Sequence, residues 1–238
     1  MGIDKRKKYY LILDIETANI CDDAIAYDIG FAVADKKGRI YDSYSFCVKE
    51  MFYYYQDLLA TAYYSEKLPQ YFEDIKNGTR ELQSIYYIRK KVHEVMKLYN
   101  TKDVFAYNCY FDKNGLNRTM RYLTKSFCRW FFPYGTQFHC IWHMACQVLF
   151  TQKSFQKMAN EQNWKSTSGN FQTSAEIAYR YIHQEYDFLE SHTGLEDVLI
   201  ECEIMAKCFR QHKKMNTSIN RLCWQIPQQK NKKIKKNY

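Results

Sequence analysis

One stretch decides the fold of this chain: residues 9–17, which read YYLILDIET. Its run of apolar and aromatic residues predicts a buried β-strand. Because side chains alternate along a strand, Asp14 and Glu16 lie on one face and Leu13 on the other. Two carboxylates on the same face of a buried strand cost stability unless a cation binds them. The stretch therefore predicts a site for a hard divalent metal ion, and a strand end that simply reaches solvent is the alternative.

The segments that follow place this strand in a sheet. Residues 25–34 and 40–48 also have the pattern of strands, and the polar turn at residues 36–39 joins them. Three strands in succession with short connections predict an antiparallel meander. An amphipathic helix is expected over residues 79–99 and a short strand over residues 103–107. Strands followed by alternating helices and strands indicate an α/β domain with a mixed sheet flanked by helices.

The charge of the chain favours a polyanionic partner. The 238 residues carry a formal net charge of +9. One basic cluster, residues 5–8, precedes the first strand, and five lysines fall within residues 230–238. Nucleic acid is the first candidate for a partner of such a chain. We expect one domain over residues 1–212 and a basic, flexible tail over residues 213–238.

The composition also indicates the cellular compartment and one feature of the protein surface. The nine cysteines have no framework spacing and no signal-peptide pattern precedes them, so we expect reduced thiols and a cytoplasmic location. The chain has no apolar run long enough to span a membrane, so no membrane partner is expected. Tyrosine is abundant, with 22 residues, and several crowd the segment Tyr53–Tyr64. We hypothesise that this segment forms a wall beside the acids and stacks on bases.

Three further residues, at two places in the chain, carry polar side chains that could take part in catalysis. Asp112 follows the strand at residues 103–107, where a helix is expected to begin. His192 comes just before Thr193, which fits the N-cap of the last helix, and Asp197 lies in the first turn of that helix. An acid in a first turn is favoured by the helix dipole, so Asp197 taken alone has an ordinary structural explanation.

Taken together, these residues form a recognisable ordered set. Asp14-x-Glu16-Thr17 lies on the first strand, Asn108-x-x-Phe111-Asp112 at a strand–helix junction, and His192 with Asp197 at the last helix. The set resembles the DEDDh 3′–5′ exonucleases, the group that includes the proofreading subunit of bacterial replicative polymerases and RNase T. The resemblance covers roughly residues 8–210. The chain departs from the family pattern at Gly194 and Val198, where the family often has Ala.

The resemblance implies a fold and a set of roles. The fold is an RNase H-like α/β fold with a central five-stranded mixed sheet. Two Mg²⁺ or Mn²⁺ ions would be bound by Asp14, Glu16, Asp112 and Asp197, and His192 would act as the general base. The terminal nucleotide and its surroundings would be contacted by Thr17, Ala18, Asn108 and Phe111.

The activity implied is hydrolysis of single-stranded nucleic acid from the 3′ end to nucleoside 5′-monophosphates. DNA is favoured as the substrate, although no motif reads the 2′-hydroxyl. A polymerase or another replication or repair protein is a candidate partner, and a homodimer is one of the oligomeric states left open. The first alternative is a nucleic-acid-binding or polymerase-associated module that does not cleave, and the second is a scaffold that binds protein through its tyrosine-rich segment. Cys140, His143 and Cys146 raise the question of a zinc site, but their spacing favours packing.

Overall fold

The fold is built on a six-stranded mixed sheet. The computed structural model describes residues 3–19 and 23–228. The strands are β1 (Tyr10–Ala18), β2 (Ile25–Ala34), β3 (Ile40–Val48), β4 (Glu81–Gln83), β5 (Asp103–Ala106) and β6 (Gln137–Cys140). They lie across the sheet in the order β4-β3-β2-β1-β5-β6. Strands β1 to β3 form the predicted antiparallel meander, while β5 pairs with β1, β6 with β5 and β4 with β3 in parallel.

Helices cover both faces of this sheet. They are α1 (Lys49–Tyr54), α2 (Gln56–Leu59), α3 (Leu68–Lys76), α4 (Ile85–Leu98), α5 (Cys109–Thr124), α6 (Ile141–Val148), α7 (Lys153–Glu161), α8 (Ala175–His183) and α9 (Gly194–Arg210). Helices α1 to α5 pack into one hydrophobic core and α6 to α9 into a second core on the opposite face. Among the described helices, none has both the length and the apolar character needed to cross a bilayer.

The number of strands is the point at which the expected architecture needs correction. The predicted sheet had five strands, and the additional one is β4, a three-residue edge strand. Its residues fall in the segment expected to be helical from residue 79. The side chain of Ser84 accepts a hydrogen bond from the backbone N–H of Tyr87, and this N-cap delays the start of α4 to Ile85. The three residues before the cap are thereby free to pair with β3.

The alternation of side chains along β1 fixes where the acids point. Leu11, Leu13 and Ile15 belong to the core under α4 and α5, whereas Ile12 belongs to the core under α9. Asp14 has the same parity as Ile12, so it faces the α9 side of the sheet, near the C-terminal end of β1. The α9 side is therefore where side chains of α9 can meet the acids of β1.

Two glycines allow α9 to approach this end of the sheet closely. A Cβ atom at Gly30 on β2 would lie 2.1 Å from the carbonyl carbon of Gly194, and one at Gly194 would lie 2.6 Å from the nitrogen of Gly30. Any side chain at either position would separate the helix from the strand. Gly194, which departs from the resembled pattern, is thus required by this contact.

The segment after α9 packs back onto the domain. The carbonyl of Thr217 accepts the backbone N–H of Cys140 at 2.7 Å, and Nδ1 of His143 lies 2.7 Å from the carbonyl oxygen of Ser218. Cys223 is fully buried in the core beneath α6 and α9. The expected tail was drawn from residue 213, whereas the chain is packed as far as residue 228. The five terminal lysines lie outside the described residues.

Candidate active site

The acids singled out in the sequence meet at the C-terminal end of β1. A carboxylate oxygen of Glu16, a ring nitrogen of His192 and a carboxylate oxygen of Asp197 all lie within 4.8 Å of one another. Asp14 is close enough to Asp112, Glu16 and Asp197 for their negative charges to raise its pKa. Four carboxylates and one imidazole, distant in sequence, therefore share one site.

Local structure explains how each acid reaches this site. Between Glu16 and Thr17 the pairing of β1 with β2 shifts register, and this irregularity lies directly beside the acids. Asp112 lies in the first turn of α5, which starts just after β5 ends. Gly115, one turn farther along α5, allows this helix to contact β1, since a Cβ there would lie 2.6 Å from Cδ1 of Ile15. The close packing of α5 on β1 brings Asp112 to the acids of the strand.

The electrostatics of the cluster are unfavourable in the absence of a cation. Burial, reinforced by the charge of Asp197, raises the pKa of Glu16 to about 9. Burial also raises the pKa of Asp197 to about 8 and that of Asp112 to about 7. The pKa of Asp14 is raised well above its ordinary value, by burial first and then by its acidic neighbours. Buried carboxylates that repel one another in this way are the oxygen-rich donor set that divalent cations require.

Glu201 is a fifth acid of the cluster that the sequence interpretation missed. It lies one helical turn after Asp197 on α9 and is almost fully buried. Its Oε1 accepts the backbone N–H of Tyr107 at 3.0 Å, whereas its Oε2 has no hydrogen-bond partner among the described residues. Its charge contributes to the raised pKa of Asp14. The spacing of four residues from Asp197 was the available signal, because it places both side chains on one face of a helix.

Asp28 was also missed, and it holds the start of α9 in place. It is fully buried on β2, directly opposite Glu16 in the strand register. Its carboxylate accepts the hydroxyl of Tyr71 at 2.7 Å and the backbone N–H of Gly194 at 3.0 Å, with Arg80 at 3.5 Å. A single acid in the otherwise apolar segment 25–34 was the signal for it. By holding Gly194, Asp28 fixes the helix start that lies between His192 and Asp197 in the sequence.

His192 occupies the loop position that the sequence predicted, next to Thr193, the N-cap of α9. Its backbone has a φ of 50°, in the left-handed region, which is uncommon for a residue other than glycine. The ring stacks on Tyr64 with centroids 4.1 Å apart and planes 12° apart. Burial lowers the pKa of His192, and the charge of Lys67 lowers it further. Lys67 also donates a hydrogen bond to the carbonyl of Ser191.

The tyrosine-rich segment reaches the site only at its C-terminal end. Tyr64 is the tyrosine that contacts His192, and its own pKa is raised to about 12, by burial first and then by the charge of Glu16. Tyr55, in contrast, packs against Tyr122 of α5 with ring centroids 5.4 Å apart. Of the wall expected from residues 53–64, the structure places Tyr64 against His192, and the stacking of this segment on bases stays a prediction.

The four expected substrate-contact residues differ in how accessible they are. Thr17 and Ala18 are buried at the end of β1, so Ala18 can offer a ligand only its backbone. Asn108 is exposed at the start of α5, and its side chain makes no capping hydrogen bond. Phe111 is partly buried against the core under α5. Asn108 is thus the member of the set whose polar side chain is most available.

The cysteine and histidine residues near β6 pack as the spacing favoured. Cys140 donates to the carbonyl of Tyr107 at 3.3 Å, and His143 is engaged by Ser218 at 2.7 Å. Both contacts tie secondary-structure elements together. Over residues 3–19 and 23–228, the metal-type cluster that the structure brings together is the one at Glu16, His192 and Asp197.

Comparison with known proteins identifies the fold. No protein-family model and no curated protein matches the sequence. The nuclease domain of 3′hExo, a DEDDh family member, matches in structure with a TM-score of 0.52 at 14% identity, over 90% of this chain and 98% of that one. A full-length 3′-exonuclease matches with a TM-score of 0.54 at 15% identity, over 88% of this chain and 84% of that one. The chain therefore has the RNase H-like fold of the DEDDh 3′-exonucleases.

Proposed function

We propose that this protein is a metal-dependent 3′–5′ exonuclease that removes nucleoside 5′-monophosphates from single-stranded nucleic acid. The observation that carries the proposal is the meeting of Asp14, Glu16, Asp112 and Asp197 with His192 on the fold of that family. Fold alone would not suffice, because one fold hosts many functions. The acidic cluster adds the chemistry, since burying several carboxylates together costs stability unless a cation binds them.

The carboxylates are suited to hold divalent ions. Asp14 lies within electrostatic range of Asp112, Glu16 and Asp197. By resemblance to the DEDDh exonucleases, we assign these four residues to hold the divalent ions. Bound Mg²⁺ or Mn²⁺ would lower the pKa of the attacking water and stabilise the departing oxygen. Glu201, with its unpartnered Oε2 beside these acids, either adds an oxygen ligand or supports one.

His192 is the residue we assign to accept the proton of the attacking water. A lowered pKa leaves its imidazole neutral at pH 7, which is the form that can accept a proton. Stacking on Tyr64 orients the ring toward Glu16 and Asp197. A general base held beside metal-binding carboxylates is the arrangement that phosphodiester hydrolysis requires.

The substrate is a single strand with a free 3′ end, and we favour DNA. One structural neighbour was solved bound to rAMP, a nucleoside monophosphate of the class we expect this chain to release. Thr17, the backbone of Ala18, Asn108 and Phe111 are the residues we assign to contact the terminal nucleotide. We also propose a cytoplasmic location. A polymerase or a repair protein is proposed as a partner, and a homodimer as one oligomeric state.

Incubation with end-labelled oligonucleotides tests the proposal. Matched DNA and RNA strands, labelled at the 5′ or the 3′ end, would be incubated with Mg²⁺ or Mn²⁺ and with EDTA as the control. We expect a 5′ label to give a ladder of shortened strands and a 3′ label to appear at once as mononucleotide. Binding without shortening in either metal would reject the proposal and favour the non-cleaving module.

A further inference from the structure

A groove lined by cations and aromatic rings begins where β1 leaves the acidic site. Its first part is a cavity of about 580 Å³ bordered by Asn19, three residues after Glu16. Because a strand rises about 3.3 Å per residue, the Cα atom of Asn19 lies at most about 10 Å from that of Glu16. Its outer wall is formed by the last turns of α5 and the residues after it, including Arg121, Lys125 and Phe127.

A second cavity continues the groove away from the site. It has a volume of about 620 Å³ and shares Ser126 with the first. Arg89 of α4 and Arg129 line it together with Trp130 and Tyr134. The two cavities thus adjoin at Ser126, one beside the last turns of α5 and the other beside α4 and residues 128–134.

The charges of this groove favour an anion. Among the described residues that line the two cavities, five are Arg or Lys and one, Asp23, is acidic. Backbone carbonyls hold several of these cations: Arg118 donates to Ala24 at 3.4 Å, and Arg89 donates to Trp130 at 2.7 Å. Such contacts fix the positions of the guanidinium groups without neutralising their charge. An anionic ligand would therefore meet positioned cations.

The aromatic rings of the groove favour stacking. Phe127 is 91% exposed, Tyr134 is fully exposed and Trp130 is 56% exposed. Lys125 lies 4.5 Å from the ring centroid of Tyr122, and Arg121 lies 5.3 Å from that of Trp130. Apolar rings left in water at such a density indicate a binding surface rather than packing. Rings interleaved with cations are typical of sites that bind single-stranded nucleic acid, where bases stack and phosphates pair.

We propose that this groove binds the part of a single strand that lies 5′ of the nucleotide being removed. The proposal rests on the proposed function for the direction of the strand, because the acids mark the 3′ end. An anionic protein segment would meet the same cations, but it would leave the exposed rings of Phe127 and Tyr134 without a stacking partner. The alternation of charge and ring therefore favours a nucleic-acid strand.

Three double variants test the groove. Lys125→Gln with Arg129→Gln removes two positive charges, and Phe127→Ala with Trp130→Ala removes two exposed rings. Lys153→Gln with Lys157→Gln is the matched control, because it removes two charges from α7, which packs on the opposite face of the sheet. The binding probes are fluorescent oligo(dT) and oligo(U) of about 20 nucleotides, longer than the ~4–16 nucleotides that one single-strand site covers. Binding is measured by anisotropy in EDTA over a series of salt concentrations.

We expect distinct signatures from the three variants. The charge variant should lower the slope of log affinity against log salt by about 1.4, since each neutralised phosphate of a single strand contributes ~0.7. The ring variant should weaken binding by about tenfold or more at an unchanged salt slope. Both should raise KM for the long strand and leave cleavage of a trinucleotide unchanged, whereas the control variant should match the wild type.

These measurements distinguish failure of the groove proposal from failure of the proposed exonuclease function. If the wild type shortens strands and both groove variants bind and cleave like the control, the groove assignment is overturned and the proposed function stands. If no protein cleaves but the groove variants lose binding as described, the groove assignment stands and the proposed function fails.

Discussion

The acidic site contains carboxyl groups whose ionised forms are destabilised, as three residues show: Glu16, Asp112 and Asp197. Each carboxyl has a raised pKa, about 9 for Glu16, about 7 for Asp112 and about 8 for Asp197, with burial as the leading cause. Lys67 lowers the pKa of Glu16 and Asp197, so it relieves part of this cost. It does so from the side of Ser191, which leaves the other side of the acids to a metal ion.

These pKa values predict how pH and metal should affect stability. Because they lie above the ordinary carboxyl values, the folded protein retains protons that the unfolded chain loses as pH rises from about 4 to about 9. We therefore expect the Tm in EDTA to fall across that range, and Mg²⁺ to raise the Tm more at pH 8 than at pH 5. Calorimetry of the protein with and without Mg²⁺ measures both effects. Equal Tm values with and without Mg²⁺ at pH 8 would contradict this.

His192 and Tyr64 give a prediction about rate. A general base contributes ~10²–10⁴-fold, so His192→Gln should lower kcat by at least about 100-fold while oligonucleotide binding persists. Tyr64→Ala should lower kcat less, because it removes the ring that orients His192. Tyr64→Phe is the matched control, since it keeps the stacking and removes only the hydroxyl. Single-turnover cleavage in Mg²⁺ measures the three variants, and a His192→Gln variant as fast as the wild type would exclude the assigned role.

At the scale of elements, the contact between β2 and the start of α9 controls the site. Asp28 and Gly30 of β2 both meet Gly194, one through a hydrogen bond and the other through direct backbone contact. His192, two residues before Gly194, and Asp197, three residues after it, are the residues to which we assign general-base and metal-binding roles. Any displacement of this helix end should therefore affect activity as well as stability.

Replacement of Gly194 tests this coupling. Gly194→Ala places a methyl group where the backbone of Gly30 lies 2.6 Å away, so we expect it to destabilise the fold by about 1–3 kcal/mol. Cleavage should fall further than the loss of folded protein explains, because the helix end moves. Leu199→Ala, on the exposed part of the same helix, is the control. Chemical denaturation measures the loss of stability, and cleavage rates measure the loss of activity. A fully active, fully stable Gly194→Ala protein would refute the coupling.

Elements were predicted well where pattern and burial agreed. The meander of β1 to β3 follows from alternation and a short turn, and α9 begins at Gly194 as its N-cap pattern indicated. The strand β4 was missed, because three residues are too few to show alternation and the neighbouring helical pattern extended over them. Its formation depends on the partner strand β3, which is a tertiary contact and not a local preference.

At the scale of the whole molecule, the site could be predicted in part. The sequence singled out five residues because their order resembles a known family: Asp14, Glu16, Asp112, His192 and Asp197. The structure brings them together at the end of β1, and their roles stay predictions. Glu201 and Asp28 were not singled out, because their importance lies in contacts that only the folded chain makes, with Tyr107 and with Gly194. The packing of residues 213–228 onto α6 was not expected, because the lysines and polar residues of this segment are typical of a tail. Its scattered apolar residues nevertheless pack on the domain, among them Met215, Ile219, Cys223 and Ile226.

The proposed catalytic acids and the proposed strand-binding groove lie in different parts of the molecule. The acids lie on the α9 side at the end of β1, while the cationic and aromatic groove follows α5 away from them. A strand held along the groove would present its 3′ end to the acids. On this account the length of strand that the groove covers sets how affinity depends on substrate length, and the acids set the rate of cleavage.

The most direct test of the central claim is manganese binding by the wild type and by Asp14→Asn, measured by calorimetry and paired with cleavage of one 5′-labelled strand. Asp14→Asn keeps the shape of the side chain and removes a charge that other acids repel. We expect the wild type to bind Mn²⁺ and shorten the strand. The Asp14→Asn variant should neither bind Mn²⁺ nor shorten the strand, while its metal-free Tm should equal or exceed that of the wild type. The control Glu94→Gln, on the exposed side of α4, should behave as the wild type. A variant that still cleaves at the wild-type rate, or a wild type that neither binds Mn²⁺ nor shortens the strand, would contradict the account.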